Sequence, residues 1–362
     1  MRTMSRERKT APFRWLLPLW LSLDVCAIAA FATCRGNRAL MNAWTGRVAG
    51  PLQAALGRMC ARVPFSVMEA AITALVLCAA VRAVRGAVRG RFAVTLFGGV
   101  CAGLCLTALF CWMWGVYYWS DGFQDLSGLY AAPVSAEQLR TTAEAFAAGL
   151  SRAADAVPRD EYGAFALSRT EILAKAPRIY DNLERAYPCL AFDDTGVKPM
   201  AYSRLMSRMD FTGFYCACTG EANVNVDSPA CLLASTAAHE MAHQRGFASE
   251  QECNFLAVLA CVTSGEPVYA YSGWLMGWIY LGNALYSADP DTYARIRDTL
   301  PATVRTDLAR NNAYWDQFRN GVVRKASAAA YDRILKGYGD GRGMRSYGAV
   351  VDLLVAYHCA LR

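Results

Sequence analysis

The chain has 362 residues, 55% of them hydrophobic, and 37 Lys and Arg against 30 Asp and Glu give a formal net charge of +7. This length exceeds one typical domain and the apolar share is high for a chain wholly in water, so a membrane contribution is expected. The charge does not point to nucleic acid: it gathers beside apolar stretches, where anionic lipid accounts for it, and the chain has no RNA- or DNA-binding motif, Gly-rich phosphate loop or internal repeat.

Three apolar stretches fill the first third: Phe13 to Cys34, Phe65 to Val81 and Phe92 to Tyr118. A hydrocarbon core of about 30 Å takes about 20 apolar residues, which the first and third satisfy and the second approaches. The first follows a basic tail but lacks a small-x-small cleavage site, so it reads as an uncleaved signal anchor. Arg2, Arg6, Arg8 and Lys9 in the tail, and Arg82, Arg85, Arg89 and Arg91 between the second and third stretches, belong on the cytoplasmic side. Three spans then make residues 1–118 a membrane region and residues 119–362 an extracytoplasmic domain. The loop Arg35 to Pro64 carries five more arginines at a spacing that suits an amphipathic helix on the membrane surface. Asp24 and Glu69 lie within the spans; they are read as carboxylates satisfied by neighbouring helices, in preference to a proton path.

Gly122 to Pro133 reads as a linker, and Ala136 to Ala156 and Asp160 to Ala186 carry apolar residues at helical spacing. From Glu221 to Asp227 polar residues alternate with Ala222, Val224 and Val226, the period of a half-buried strand.

Ser228 to Ala257 carries the chemistry. It contains HEMAH, with two of the protein's three histidines. Residues four apart share a helix face, so His239 and His243 can both turn an imidazole nitrogen to one metal ion, with Glu240 beside it. That pattern suits zinc hydrolysis: two neutral imidazoles hold Zn²⁺, the metal acidifies a bound water and a carboxylate takes its proton. Ser228 and Pro229 are expected to open the helix and Gly246 to end it in a left-handed turn. Catalytic zinc takes three protein ligands. Ser249 and Glu252 spell a capping box for a following helix, which leaves Glu250 as the expected third ligand and Glu252 as the alternative.

Val268 to Tyr286 is apolar and aromatic, but Ser272, Gly273, Gly277 and Asn283 interrupt it, so it reads as a buried helix in preference to a fourth span. Tyr271 is weighed as an oxyanion donor against an ordinary packing role. His358 lies in an apolar terminal helix and is read as a core residue. The fourteen cysteines define no disulfide frame, and C-x-C at Cys216 and Cys218 lacks structural-zinc spacing.

The runs KPMAYSRLMSRMDFTGFYCACTGEANVN, HEMAHQRGFASEQECNFLAVLAC and YAYSGWLMGWIYL resemble a bacterial family of membrane-anchored, zincin-like proteins known as a domain of unknown function. The HExxHQxGFxxExExNFLA core is also similar to gluzincin metallopeptidases of the Ste24 and HtpX type, whose second motif is E-x-x-A-D-x-x-A. That likeness implies that Glu250 binds zinc and that Asn254, standing for the Asp, orients a ligand histidine. It further implies that GEANVNVD, with Asn223 and Asn225, forms the cleft edge along which an extended peptide pairs. The expected molecule is therefore mostly α: N-terminal transmembrane helices, then a zincin-like α+β extracytoplasmic domain with a small β element. Its expected activity is zinc-dependent peptide hydrolysis at membrane lipid, with a catalytically silent metal-binding scaffold as the alternative. An intramembrane protease ranks last, because Asp227 and Arg245 bound the motif helix.

Overall fold

A computed structural model describes residues 11–337 and 350–361, and the basic tail at residues 2–9 lies outside them. Two helices, Val67–Val88 and Phe92–Met113, form a hairpin that turns at Arg89–Arg91. Each has 22 residues and is long and apolar enough to cross a membrane, and each has only 11% of its most apolar window buried. The second expected stretch is opened by Ser66 as cap at Val67 and runs about two turns beyond its apolar run, to Val88, with Arg82 and Arg85 tolerated at its end. The third stops as an α-helix at Met113, and Gly115–Tyr118 continues as a 3₁₀ turn.

The first expected span lies in a helix over Ala11–Cys34 that packs against Phe92–Met113. The Trp112 indole ties the two by donating to the Ala27 carbonyl at 2.9 Å. Among the described residues, Val67–Val88 and Phe92–Met113 are the two helices long and apolar enough to cross a membrane, and Pro18–Cys34 is a shorter apolar stretch. The arginine-bearing loop after it is helical, as Arg38–Trp44, a π turn over Thr45–Ala49, and Gly50–Cys60.

The rest is built on a helical core. Ala136–Ala154, opened by a Ser135 capping box, packs on Pro267–Ala288, which in turn packs on Glu250–Thr263. Tyr269, Tyr271 and Trp278 of Pro267–Ala288 are buried, the environment of a core helix. Asp160 to Ala186 is not one long helix. Asp160 folds back on its own chain, accepting from the Tyr162 and Ala164 amides, and helix appears only as Arg169–Ala174 and Asp181–Ala186 on either side of a turn at Pro177.

Three short strands form one sheet: β1 (Val197–Pro199), β2 (Gly213–Cys216) and β3 (Glu221–Val224), in the order β1-β3-β2, with β1 parallel and β2 antiparallel to β3. The alternation expected of β3 does not translate into one wet face, for all four residues are buried. Its polar side chains are consumed internally. Glu221 accepts from the Val67 and Met68 amides at 3.0 and 2.8 Å and from Lys198 Nζ at 2.7 Å. One carboxylate thereby caps the start of the apolar hairpin and neutralises a half-buried lysine. Glu69 answers from the other side, accepting from the Ala201 and Tyr202 amides at 2.9 and 2.6 Å, so its burial has a structural cause. These two carboxylates seat the hairpin on the sheet.

Replacing Glu221 with alanine leaves Lys198 and two amides without their anion, which is expected to cost about 3 kcal/mol or more. Thermal unfolding of the purified full chain measures this, and an unchanged melting temperature contradicts the assignment.

Candidate metal centre

The HEMAH residues lie on the helix Leu233–Gln244. It starts later than expected: Ala230–Leu232 form a 3₁₀ turn, and the Ser228 hydroxyl donates back to the Asn225 carbonyl instead of capping the helix. The end is as the sequence implies. Gly246 takes φ +88°, its amide bonds the His243 carbonyl, and the Phe247 amide bonds the Ala242 carbonyl, so the chain reverses in a Schellman turn. Three residues later Ser249 caps Glu250–Thr263, and this return carries Glu250 to the histidines.

The donor atoms of His239, His243 and Glu250 lie within 4.8 Å of one another. His239 Nε2 is 3.2 Å from Glu250 Oε2, and His243 Nε2 is 3.7 Å from Glu250 Oε1. His243 Nδ1 lies 2.7 Å from the Phe247 carbonyl, to which it donates, so Nε2 keeps its lone pair for the cluster. The Cys253 thiol donates to the same carbonyl at 3.1 Å. Asn254 stands against His239 and favours its protonated ring, although His239 Nδ1 and Asn254 Nδ2 lack a hydrogen bond of good geometry. Glu252 is not in the cluster. It reaches back to the supposed linker, where it accepts from the Phe123 and Gln124 amides at 3.0 Å each and caps the short helix Phe123–Ser127. The Ser249–Glu252 box is thus half made, and its carboxylate serves a different helix.

Glu240 sits beside the three donors with Oε2 buried and without a hydrogen bond. Its room comes from Gly213 of β2, where a Cβ would collide with the Glu240 carboxylate. The cluster opens into a cavity of about 370 Å³, with β2 on one wall, the end of Phe92–Met113 with Trp114 on another, and Tyr331 over Glu250. The Tyr331 hydroxyl donates to Glu250 Oε1, and the Trp114 ring meets His243 edge-on at 5.5 Å between centroids. Cys216 and Cys218 also line the cavity as free thiols; hydrogen bonding from Cys218 pulls Cys216 down to about 6.

Burial drives the Glu240 carboxyl up to about 8 and the His243 imidazole down to about 4. Burial also opposes the charge on Glu250, yet the hydrogen bond from His239 and the nearby imidazoles hold it at about 2. For His239, burial is outweighed by Glu250 and the pKa is raised. The carboxylate of Glu250 thus favours positive charge between itself and the imidazoles. Two imidazole nitrogens and a carboxylate oxygen around that charge are a donor set that fits a divalent cation.

Three weaker candidates lie elsewhere. Asn223 and Asn225 are fully buried on and beside the central strand, which β1 and β2 flank, so β3 offers no free edge. Asn223 Nδ2 donates to the Phe214 and Glu221 carbonyls, and Asn225 Nδ2 to Ser207 Oγ and the Phe211 carbonyl. Tyr271 donates to Asp307 at 2.5 Å under the Arg159 guanidinium, away from the cavity. Conversely, sequence reasoning overlooked Gly213, Trp114, Tyr331 and Arg245. The Arg245 side chain is 1% exposed and holds the helix end through a two-pronged pair with Asp194 at 2.8 and 2.7 Å and a bond to Glu184 at 2.7 Å. A charged residue directly after an HExxH helix was the only available signal for it.

A family model described as protein of unknown function (DUF3810) matches residues 50–355. The chain belongs to this family. The match takes in the apolar hairpin, the sheet and both helices of the DUF3810 cluster, and so the whole cavity wall. No curated protein and no solved structure matches.

Glu240 sets a pH dependence for the metal-free protein. Between its ordinary value of 4.5 and about 8 the unfolded chain has lost the proton and the folded chain has not, so stability falls as pH rises through that window. Glu240→Gln removes this cost, and its stabilisation of the metal-free protein is expected to be larger at pH 8 than at about pH 5 in urea unfolding. A gain that is larger at the lower pH contradicts the assignment.

Proposed function

We propose that this protein is a membrane-anchored, zinc-dependent peptide hydrolase of the zincin type. The observation that carries the reading is the division of labour among four buried groups: His239, His243 and Glu250 converge through Nε2, Nε2 and a carboxylate, while Glu240 stands beside them outside the set. A structural metal site would saturate its ligands, whereas three donors with a free carboxylate alongside leave room for a reacting molecule. The likeness of HExxHQxGFxxExExNFLA to gluzincins of the Ste24 and HtpX type supports the same assignment.

When bound, zinc supplies Lewis acidity, polarising a carbonyl and lowering the pKa of water. The protein's own groups do the rest. His243 presents Nε2 because Phe247 holds its Nδ1 proton, and Tyr331 fixes one oxygen of Glu250. Glu240 takes a proton from the attacking water and delivers it to the leaving amine: hydroxide adds to the carbonyl carbon, the C–N bond breaks and the proton ends on nitrogen. Val67–Val88 and Phe92–Met113 are proposed to anchor the chain, with the arginine-rich turn on the cytoplasmic side and the catalytic cleft extracytoplasmic.

Metal content and peptide cleavage of the full chain test this. The expected result is one zinc per chain, retained in Glu240→Gln with cleavage lowered about 10²- to 10⁴-fold, and lost in Glu250→Ala but not in Glu252→Ala. Gly213→Ala is expected to keep the metal and slow cleavage about 10²-fold by displacing Glu240. Zinc bound without cleavage of any peptide favours the silent scaffold; no zinc uptake overturns both readings.

A further inference from the structure

The cavity has two unlike walls. One is β2, an edge strand among the described residues, bonded to β3 on one side and carrying Gly213 and the exposed Phe214. The other is Leu106, Leu109, Phe110 and Met113, the last two turns of Phe92–Met113. Leu106 and Leu109 are 54% and 45% exposed, and they extend the bare apolar surface of that helix into the cavity.

Dimensions place the junction. A helix of 22 residues is about 33 Å long, close to the hydrocarbon thickness of about 30 Å, and its other end is the arginine-bearing turn. Leu106 lies seven residues before Met113, so the cavity reaches about 10 Å down the helix from its end. The junction is stiff. Gln53 donates to the Met113 carbonyl and accepts from the Tyr215 hydroxyl at 2.9 Å, linking helix end to β2, and Trp114 packs on both Tyr215 and His243. The metal ligands are thus built directly against the end of an apolar helix, with no soluble layer between.

We propose that the cleft is loaded from the bilayer: its substrate is a polypeptide held in the membrane by an apolar segment, which lies along Leu106 and Leu109 while the adjoining extended residues pair with β2 beside Glu240. The two walls fit the two parts, lipid-like surface for the anchor and unpaired backbone groups for the strand. This rests on the hydrolase reading for its chemistry, but the route of entry is separable from it.

The test uses the full chain in lipid nanodiscs, supplied with zinc and carrying Glu240→Gln, with a photoreactive benzoylphenylalanine in place of Leu109 or, as a control, of Val76 on the neighbouring helix. The probe is a library of random extended peptides fused to an apolar helix of about 20 residues, compared with the same library lacking that anchor. Membrane loading predicts labelling at position 109 about tenfold or more above the unanchored library, as confinement to the bilayer raises local concentration, and above position 76. Equal labelling at both positions, or equal labelling by the soluble library, overturns it. Cleavage by the unmutated protein separates the two proposals. Soluble peptides cut as fast as anchored ones leave the hydrolase standing and remove the membrane route; an anchored library captured at position 109 yet never cut does the reverse.

Discussion

Everything in the molecule turns on one buried carboxylate placed between two imidazoles. Isolating Glu250 from water costs far more than any neutral hydrogen bond returns, so the arrangement stands only while a positive charge lies between it and the histidines. The hydrogen bond from His239 and the nearby imidazoles hold Glu250 at about 2 against its burial, and Glu250 in turn raises His239. His243, which gives its only N–H to the Phe247 carbonyl, stays neutral and is pushed down to about 4. Glu240, a short distance further, has no such partner and rises to about 8. Two carboxylates on adjoining surfaces are thereby driven in opposite directions, Glu250 down and Glu240 up.

Such a cluster has to be held by the surrounding fold, and the supports are ionic at each end. Arg245 fastens the end of the motif helix to Asp194 and Glu184 over the Tyr180 ring, at 3.8 Å. Glu252 fastens the start of the next helix to Phe123 and Gln124. Glu221 and Glu69 lock the sheet to the apolar hairpin, and Gln53 closes the gap between hairpin end and β2. The cleft therefore inherits its rigidity from the hairpin, which explains how Trp114, from the end of an apolar helix, comes to pack on His243.

How far the sequence discloses this depends on whether a residue acts within its own element. HEMAH and the αL glycine after it are local, and a helix of period 3.6 ending in a Schellman turn brings His239, His243 and Glu250 together with no further information. The apolar hairpin is equally local. Glu252 is not: its local pattern spells a capping box, and only the tertiary fold reveals that its partners lie 129 and 128 residues earlier. The strand was misjudged for the same reason. Polar residues at alternate positions normally mark a solvent face, but Glu221 and Asn223 are buried, with the Glu221 carboxylate and the Asn223 Nδ2 bonded inside, and β2, whose sequence carries no clear alternation, takes the edge position. Tyr331 and Gly213 act across the cavity from distant elements, and no spacing in the chain announces them.

The central claim, that two imidazoles and Glu250 hold a zinc ion, is tested most directly by X-ray absorption at the zinc edge on the zinc-supplied full chain. The account predicts a first shell of nitrogen and oxygen alone at about 2.0 Å, with imidazole outer-shell scattering and no sulfur. A sulfur shell at about 2.3 Å would place the metal on the cysteines instead, Cys253 beside His243 or the Cys216 and Cys218 pair, and would contradict it.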